Sequence, residues 1–146
     1  MPAEKVLEIN GEVTRLLSLS LDDICQLNPA NSVQTGFLRG VRRHTITFVG
    51  ARLWDAIGSA QPHSTPTSTL RLMARARDGF RCIIRWHEFD PTLTHHIVLV
   101  AYEQDGQLLT ADGGPLRLVV PGDERGRRFL RGLAQLTILA PTTEDE

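Results

Sequence analysis

Lysine is almost missing from this 146-residue sequence: Lys5 stands alone, so every other basic residue among the 16 is an arginine. Arginine's planar fork suits bidentate contact with phosphate, although a genome-wide compositional bias yields the same count. Cysteine is scarce too. Cys25 and Cys82 are too few for a disulfide framework and have no Cys-x-x-Cys partner for zinc, so both read as buried reduced thiols. Long apolar runs are absent: the longest, Ile97 to Tyr102, is far short of the ~20 residues a membrane span needs. Met1-Pro2-Ala3-Glu4-Lys5 has no basic n-region and no apolar h-region, so the expected compartment is cytoplasmic, or periplasmic where a leader has been removed. A net charge of -1 gives no general attraction to nucleic acid or acidic membranes. No Ser-His-Asp arrangement, P-loop or dinucleotide fingerprint is visible, and Asp22-Asp23 reads as helix N-terminal charge.

What is present is a chain rich in short strands. Val6 to Val13 predicts two strands around an Asn10-Gly11 turn, because Asn-Gly adopts positive φ at low cost. Ser20 caps a short helix in which Leu21, Ile24 and Cys25 share a face, and Asn28-Pro29 stops it. Asn31 to Phe48 predicts a strand, an exposed loop and a strand; Leu53 to Ile57 predicts a helix with Leu53, Ala56 and Ile57 inward; Pro62 to Ser68 reads as a loop. From Thr69 the pattern alternates strictly, with Leu70, Leu72, Ala74 and Ala76 on one side and Arg71, Met73, Arg75 and Arg77 on the other. Asp78-Gly79 turns the chain, and Phe80, Cys82 and Ile84 continue the buried side. Ile97 to Tyr102, Asp105-Gly106 and Gln107 to Leu109 form a second strand-turn-strand unit, followed by strands at Leu116 to Val120 and Leu133 to Leu139. The expectation is one α+β domain over residues 1–141, strand-rich mixed sheets with short helices, and a frayed acidic tail at 142–146.

Ala101-Tyr102-Glu103-Gln104-Asp105-Gly106-Gln107-Leu108-Leu109, then Asp112-Gly113-Gly114-Pro115-Leu116-Arg117 through Pro121-Gly122, resembles the signature of the sulfite oxidase-type molybdopterin-binding fold. In that family a basic segment running into a Lys-Trp-Leu-like sequence follows, here Gly126-Arg127-Arg128-Phe129-Leu130-Arg131-Gly132-Leu133. Upstream, Leu7 to Val13, Leu19 to Leu27, Gly50 to Ile57 and Asp78-Gly79-Phe80-Arg81 resemble the family's opening strands, helices and hairpin, so the likeness spans nearly the whole chain. The resemblance implies an anionic pterin phosphate bound by Arg117, Arg128, Phe129, Leu130 and Arg131, with molybdopterin, the molybdenum cofactor, as ligand. Guanidinium forks and closely approaching backbone N–H groups are what a phosphate needs.

Four positions depart from the family, one of them Arg131 in place of the lysine of Lys-Trp-Leu, which keeps the charge but not the shape. The family's molybdenum-ligating thiolate falls in Gly36-Phe37-Leu38-Arg39-Gly40, where Leu38 stands in the cysteine's place. Asp112 replaces a histidine that often precedes the Gly-x-Pro motif, and Gly132 replaces the tryptophan of Lys-Trp-Leu. The expected function is therefore a pterin-binding-like domain without catalytic turnover and with no catalytic or metal-ligating side chain assigned. Its alternatives are a degenerate structural or protein-interaction module and a molybdenum oxidoreductase with non-cysteine ligation. Expected partners are a redox or other protein partner, with no nucleic acid and no membrane insertion. Arg39, Arg42, Arg43 and His44 read as a basic loop bordering the site mouth, and Glu88 and Asp90 could border a pocket beside Trp86 and Phe89. His95-His96 is a weak metal pair, since neighbours in a strand point to opposite faces. His44, His63 and His87 have no ligand spacing and read as surface residues.

Overall fold

The computed structural model describes residues 5–27, 31–39, 42–60, 70–92, 94–109, 115–120 and 130–139, with backbone only for 31–39 and 42–44. The stops and loops expected at Asn28-Pro29, Pro62 to Ser68 (with His63) and Pro121-Gly122, and the tail at 142–146, lie outside these residues. Two five-stranded sheets carry the architecture. The first is ordered β2 (Leu17–Ser20), β1 (Lys5–Gly11), β10 (Leu133–Leu139), β5 (Arg71–Ala76), β6 (Arg81–Arg85). In the second, β3 (Asn31–Arg39), β4 (Arg42–Arg52), β7 (Leu99–Gln104) and β8 (Gln107–Leu108) follow in order, and β9 (Arg117–Val119) also pairs with β7. Two short helices, α1 (Leu21–Cys25) and α2 (Leu53–Ser59), and a 3-10 turn at Trp86–Glu88 complete the described elements. Strand-rich sheets with few short helices agree with the α+β expectation.

Apolar alternation explains how the sheets share one core. Leu7 and Ile9 of β1, Leu72 and Ala74 of β5, and Leu136 and Ile138 of β10 point inward from the first sheet, and Phe48 and Leu118 join the same core from the second, whose β7 is buried on both faces from Leu99 to Tyr102. Leu53, Ala56 and Ile57 of α2 join them as expected. Ser20 caps α1 through a reciprocal box, its Oγ accepting from Asp23 N–H at 3.1 Å and its own N–H donating to Asp23 Oδ2 at 2.8 Å. Asp105 and Gly106 take φ of 51° and 85°, the pair of positive values a two-residue type I′ hairpin requires between β7 and β8. Asp105 also exchanges hydrogen bonds with Thr47, its N–H reaching the Thr47 carbonyl at 2.8 Å and its Oδ1 accepting from Thr47 N–H at 3.0 Å.

Several expectations change. Asn10-Gly11 is no hairpin turn: β1 runs through both residues, parallel to β10 with Asn10 opposite Thr137 and Gly11 opposite Ile138. The Thr137 hydroxyl donates to Asn10 Oδ1 at 2.7 Å, so a long-range partner claims the residue that local turn chemistry favoured. Arg42, Arg43 and His44 are not loop residues, because they pair with Arg39, Leu38 and Phe37 in the β3–β4 ladder. Phe80 is 61% exposed instead of continuing the buried side, lying in the turn region before β6 begins. Of the two thiols, Cys25 is exposed and Cys82 half-buried. One turn of helix is too short to carry Cys25 under the sheet together with the buried Ile24.

Candidate functional site

Arg117 opens β9, and its neighbours are set by backbone pairing on both sides. Across one edge lies Ala101 of β7; across the other, an isolated antiparallel bridge joins Arg117 to Arg131. Leu118 N–H donates to the Leu130 carbonyl at 2.9 Å and Leu133 N–H to the Leu116 carbonyl at 3.0 Å, so the chain entering β10 is laced onto β9. Leu130 is buried at 4% exposure and Arg131 is exposed. Residues fourteen positions apart in the chain thus meet because the end of the second sheet and the start of the last strand share hydrogen bonds.

The Arg117 guanidinium is held partly inside. It lies 5.3 Å from the Phe48 ring centroid and donates through Nη1 to Gln104 Oε1 at 3.2 Å. Its Nε is buried and makes no hydrogen bond among the described residues. Burial, and then the charge of Arg131, pull the Arg117 guanidinium below its ordinary value. Among the described residues neither arginine forms an ion pair with a carboxylate. Two adjacent cations, one with an orphaned buried donor, make an arrangement that an anion would complete.

The model of the oxidoreductase molybdopterin binding domain family matches residues 2–143. The chain belongs to this family. It is thereby assigned to the molybdopterin-binding domain of sulfite oxidase-type enzymes, as the motif from Ala101 onward implied. Comparison with curated proteins returns no match.

Within this molybdopterin-binding-domain chain, the sequence-derived site residues separate into three groups. Arg117, Leu130 and Arg131 come together as described above. Asp112, Arg128 and Phe129 lie outside the described residues. Leu38 and Arg39 sit at the far end of the β3–β4 ladder, where Leu38 pairs with Arg43, whereas Arg117 belongs to the cross-strand row through Ala101 and Gly50. Arg43 and Gly50 lie on the order of 20 Å apart along β4 at ~3.3 Å per residue. Gly132 takes φ of +68°, so the family's tryptophan would be strained at this position by its backbone conformation, although a Cβ there would only touch the Arg77 side chain at ordinary contact distance.

Elsewhere, Asp90 is a structural carboxylate. At 6% exposure it accepts from Trp86 Nε1 at 3.0 Å, from Thr92 N–H at 2.9 Å and from the Thr92 hydroxyl at 2.7 Å. The Thr92 hydroxyl, opposed by burial and aided by Thr92 N–H and Trp86, holds its carboxyl below the ordinary value. Glu88 accepts from Arg85 N–H at 2.8 Å. His95 and His96 lie outside any strand, so the opposite-face argument does not govern them; both line a cleft of about 120 Å³ with Arg52, Trp54, Phe89 and Pro91. No group of three or more potential metal ligands occurs among the described residues. Nor is any helix among them long and apolar enough to cross a membrane. Sequence reasoning missed the Phe48 and Gln104 contacts to Arg117, since only the β4–β7 pairing, which sets Phe48 opposite Gln104, makes them neighbours.

Proposed function

We propose that this chain is an anion-holding member of its family that binds the phosphate of a pterin-type ligand without catalytic turnover. The observation that carries this reading is the Arg117–Arg131 bridge with its buried, unbonded Arg117 Nε. That donor set fits a phosphate: Arg117 would offer Nε from within the protein, Arg131 a solvent-facing fork, and Leu130 the apolar backing. Arg128 and Phe129 belong to the same basic sequence segment. When bound, the group would supply a molybdenum redox centre. Leu38 offers no thiolate to ligate it, which is the reason turnover is not expected. Cys25 lies on α1, outside the motif, and does not take the place of that thiolate.

The test is to purify the protein from a host with intact molybdopterin synthesis, then measure molybdenum by elemental analysis and released pterin by fluorescence. Pterin is expected at near one per chain, with R131Q and R117Q each lowering it at least about tenfold, in line with the ~1.5–3 kcal/mol of a charge-assisted hydrogen bond. R131Q alters an exposed side chain and leaves folding intact, which separates lost binding from lost structure. Metal with oxidase turnover would overturn the non-catalytic part and revive non-cysteine ligation. Absence of both pterin and metal would overturn the binding reading altogether. Arg117 would then be a structural cation over Phe48, in a fold given to interaction.

A further inference from the structure

The hairpin from Arg71 to Arg85 concentrates charge of one sign. It contains five arginines and a single acid, Asp78, in a chain whose net charge is -1, so the remainder is net acidic. Register decides where those arginines point. Leu72, Ala74, Ala76 and Ile84 are buried, which turns Arg71, Met73 and Arg75 of β5 and Arg81, Ile83 and Arg85 of β6 to the opposite face. The pairs Arg71–Arg85 and Arg75–Arg81 stand directly opposite one another, with Met73–Ile83 between them. Arg77 extends the row past the end of β5. Arg75, Arg77, Arg81 and Arg85 are exposed, and so are Ile83 at 43% and Phe80 at 61%.

Like charges directly opposite in an antiparallel pair destabilise it, and one glutamate at either position would remove the repulsion. Protection of an edge strand explains charge on β6, the last described strand of its sheet, but not on β5, which is paired on both sides. Arginine, methionine and aromatic residues around exposed apolar side chains are the composition of a protein-binding surface, where lysine is depleted. A second copy placed face to face would bring arginines onto arginines.

We propose that the outer face of the β5–β6 hairpin is a docking surface for an acidic polypeptide segment of a partner protein. Its carboxylates would sit on Arg75, Arg81, Arg85 and Arg77, and an apolar side chain between them would rest on Met73 and Ile83. This surface is separate from the Arg117–Arg131 pair and does not depend on pterin binding.

The probe is a fluorescent peptide of alternating glutamate and valine, titrated by anisotropy onto the full chain, beside the same peptide with glutamine for glutamate, a single-stranded oligonucleotide and vesicles of anionic lipid. The glutamate peptide is expected to bind, to weaken steeply between ~0.05 and ~0.3 M salt, and to bind R81E/R85E at least about tenfold less well. R81K/R85K should retain part of the affinity, and R81E/R85E should melt no lower than the parent, because R81E faces Arg75 and R85E faces Arg71. Equal binding of the glutamine peptide, indifference to R81E/R85E in a folded variant, or tighter binding of oligonucleotide or vesicles would each overturn the proposal.

Discussion

At two glycines the backbones of neighbouring strands come too close for any side chain. A Cβ on Gly11 would stand 2.2 Å from the Ile138 carbonyl oxygen, and φ there is +93°. A Cβ on Gly50 would stand 2.2 Å from the Val100 carbonyl oxygen, beside the register shift between Val49 and Gly50. Neither obstacle is a flexible side chain. G11A and G50A are each expected to lose on the order of 2 kcal/mol or more, read as a drop in the urea midpoint at unchanged slope. By contrast, G58A on α2 meets no atom within 4 Å and should leave stability level or raise it by up to about 1 kcal/mol, the glycine-to-alanine helix difference. Asn10-Gly11 illustrates what sequence alone could mislead: the dipeptide favours a turn, yet its glycine is required for contact with β10, some 127 residues along the chain from Asn10 at Thr137.

The hairpin and the turn after it show how single elements store electrostatic preference. R81E converts the Arg75–Arg81 pair into an attractive one and should raise stability by about 0.5 kcal/mol, seen as a slightly higher melting temperature at low salt. In the turn that follows β6, Asp90 ties Trp86 and Thr92 together beneath an aromatic cluster in which the Trp54 and Trp86 centroids lie 5.4 Å apart and those of Trp86 and Phe89 5.1 Å apart. Its carboxyl titrates below the ordinary 3.8, as does Asp23, which is held down first by the Ser20 backbone N–H. Between the lowered folded values and 3.8 the native state binds fewer protons than the unfolded chain. Stability from these groups is therefore full above pH ~4 and is lost as pH falls through the folded values. D90N should flatten that acid limb in melts taken from pH 5 to pH 2. At neutral pH it should cost ~1–3 kcal/mol, because an amide oxygen cannot accept from both Trp86 and Thr92 in the present geometry.

For the molecule as a whole, β10 is the central strand of the first sheet, parallel to β1 on one side and antiparallel to β5 on the other. Leu133, Leu136 and Ile138 are buried beneath it. Truncation after Gly132 would leave β1–β2 and β5–β6 as hairpins with no common sheet, so the shortened chain should show neither near-UV circular dichroism nor a cooperative melt. The same strand assembles the candidate site, since the bridge from Arg131 to Arg117 forms where β10 is about to begin.

Strand identity was legible because apolar alternation is local: the inward run from Leu70 to Ala76 and the inward trio of α2 follow directly from residue order. The motif around Gly114-Pro115-Leu116-Arg117 likewise belongs to the sequence and carried the family. The hairpins turning at Asp78-Gly79 and Asp105-Gly106 were legible too, but the long-range partners were not, because register and strand order across the sheets depend on contacts between distant residues. Only the tertiary structure set Arg117 against Phe48, Gln104 and Arg131, exposed Cys25, and brought like-charged arginines face to face on β5 and β6. Composition and periodicity determine which residues turn inward; hydrogen bonding between remote strands decides which of them meet.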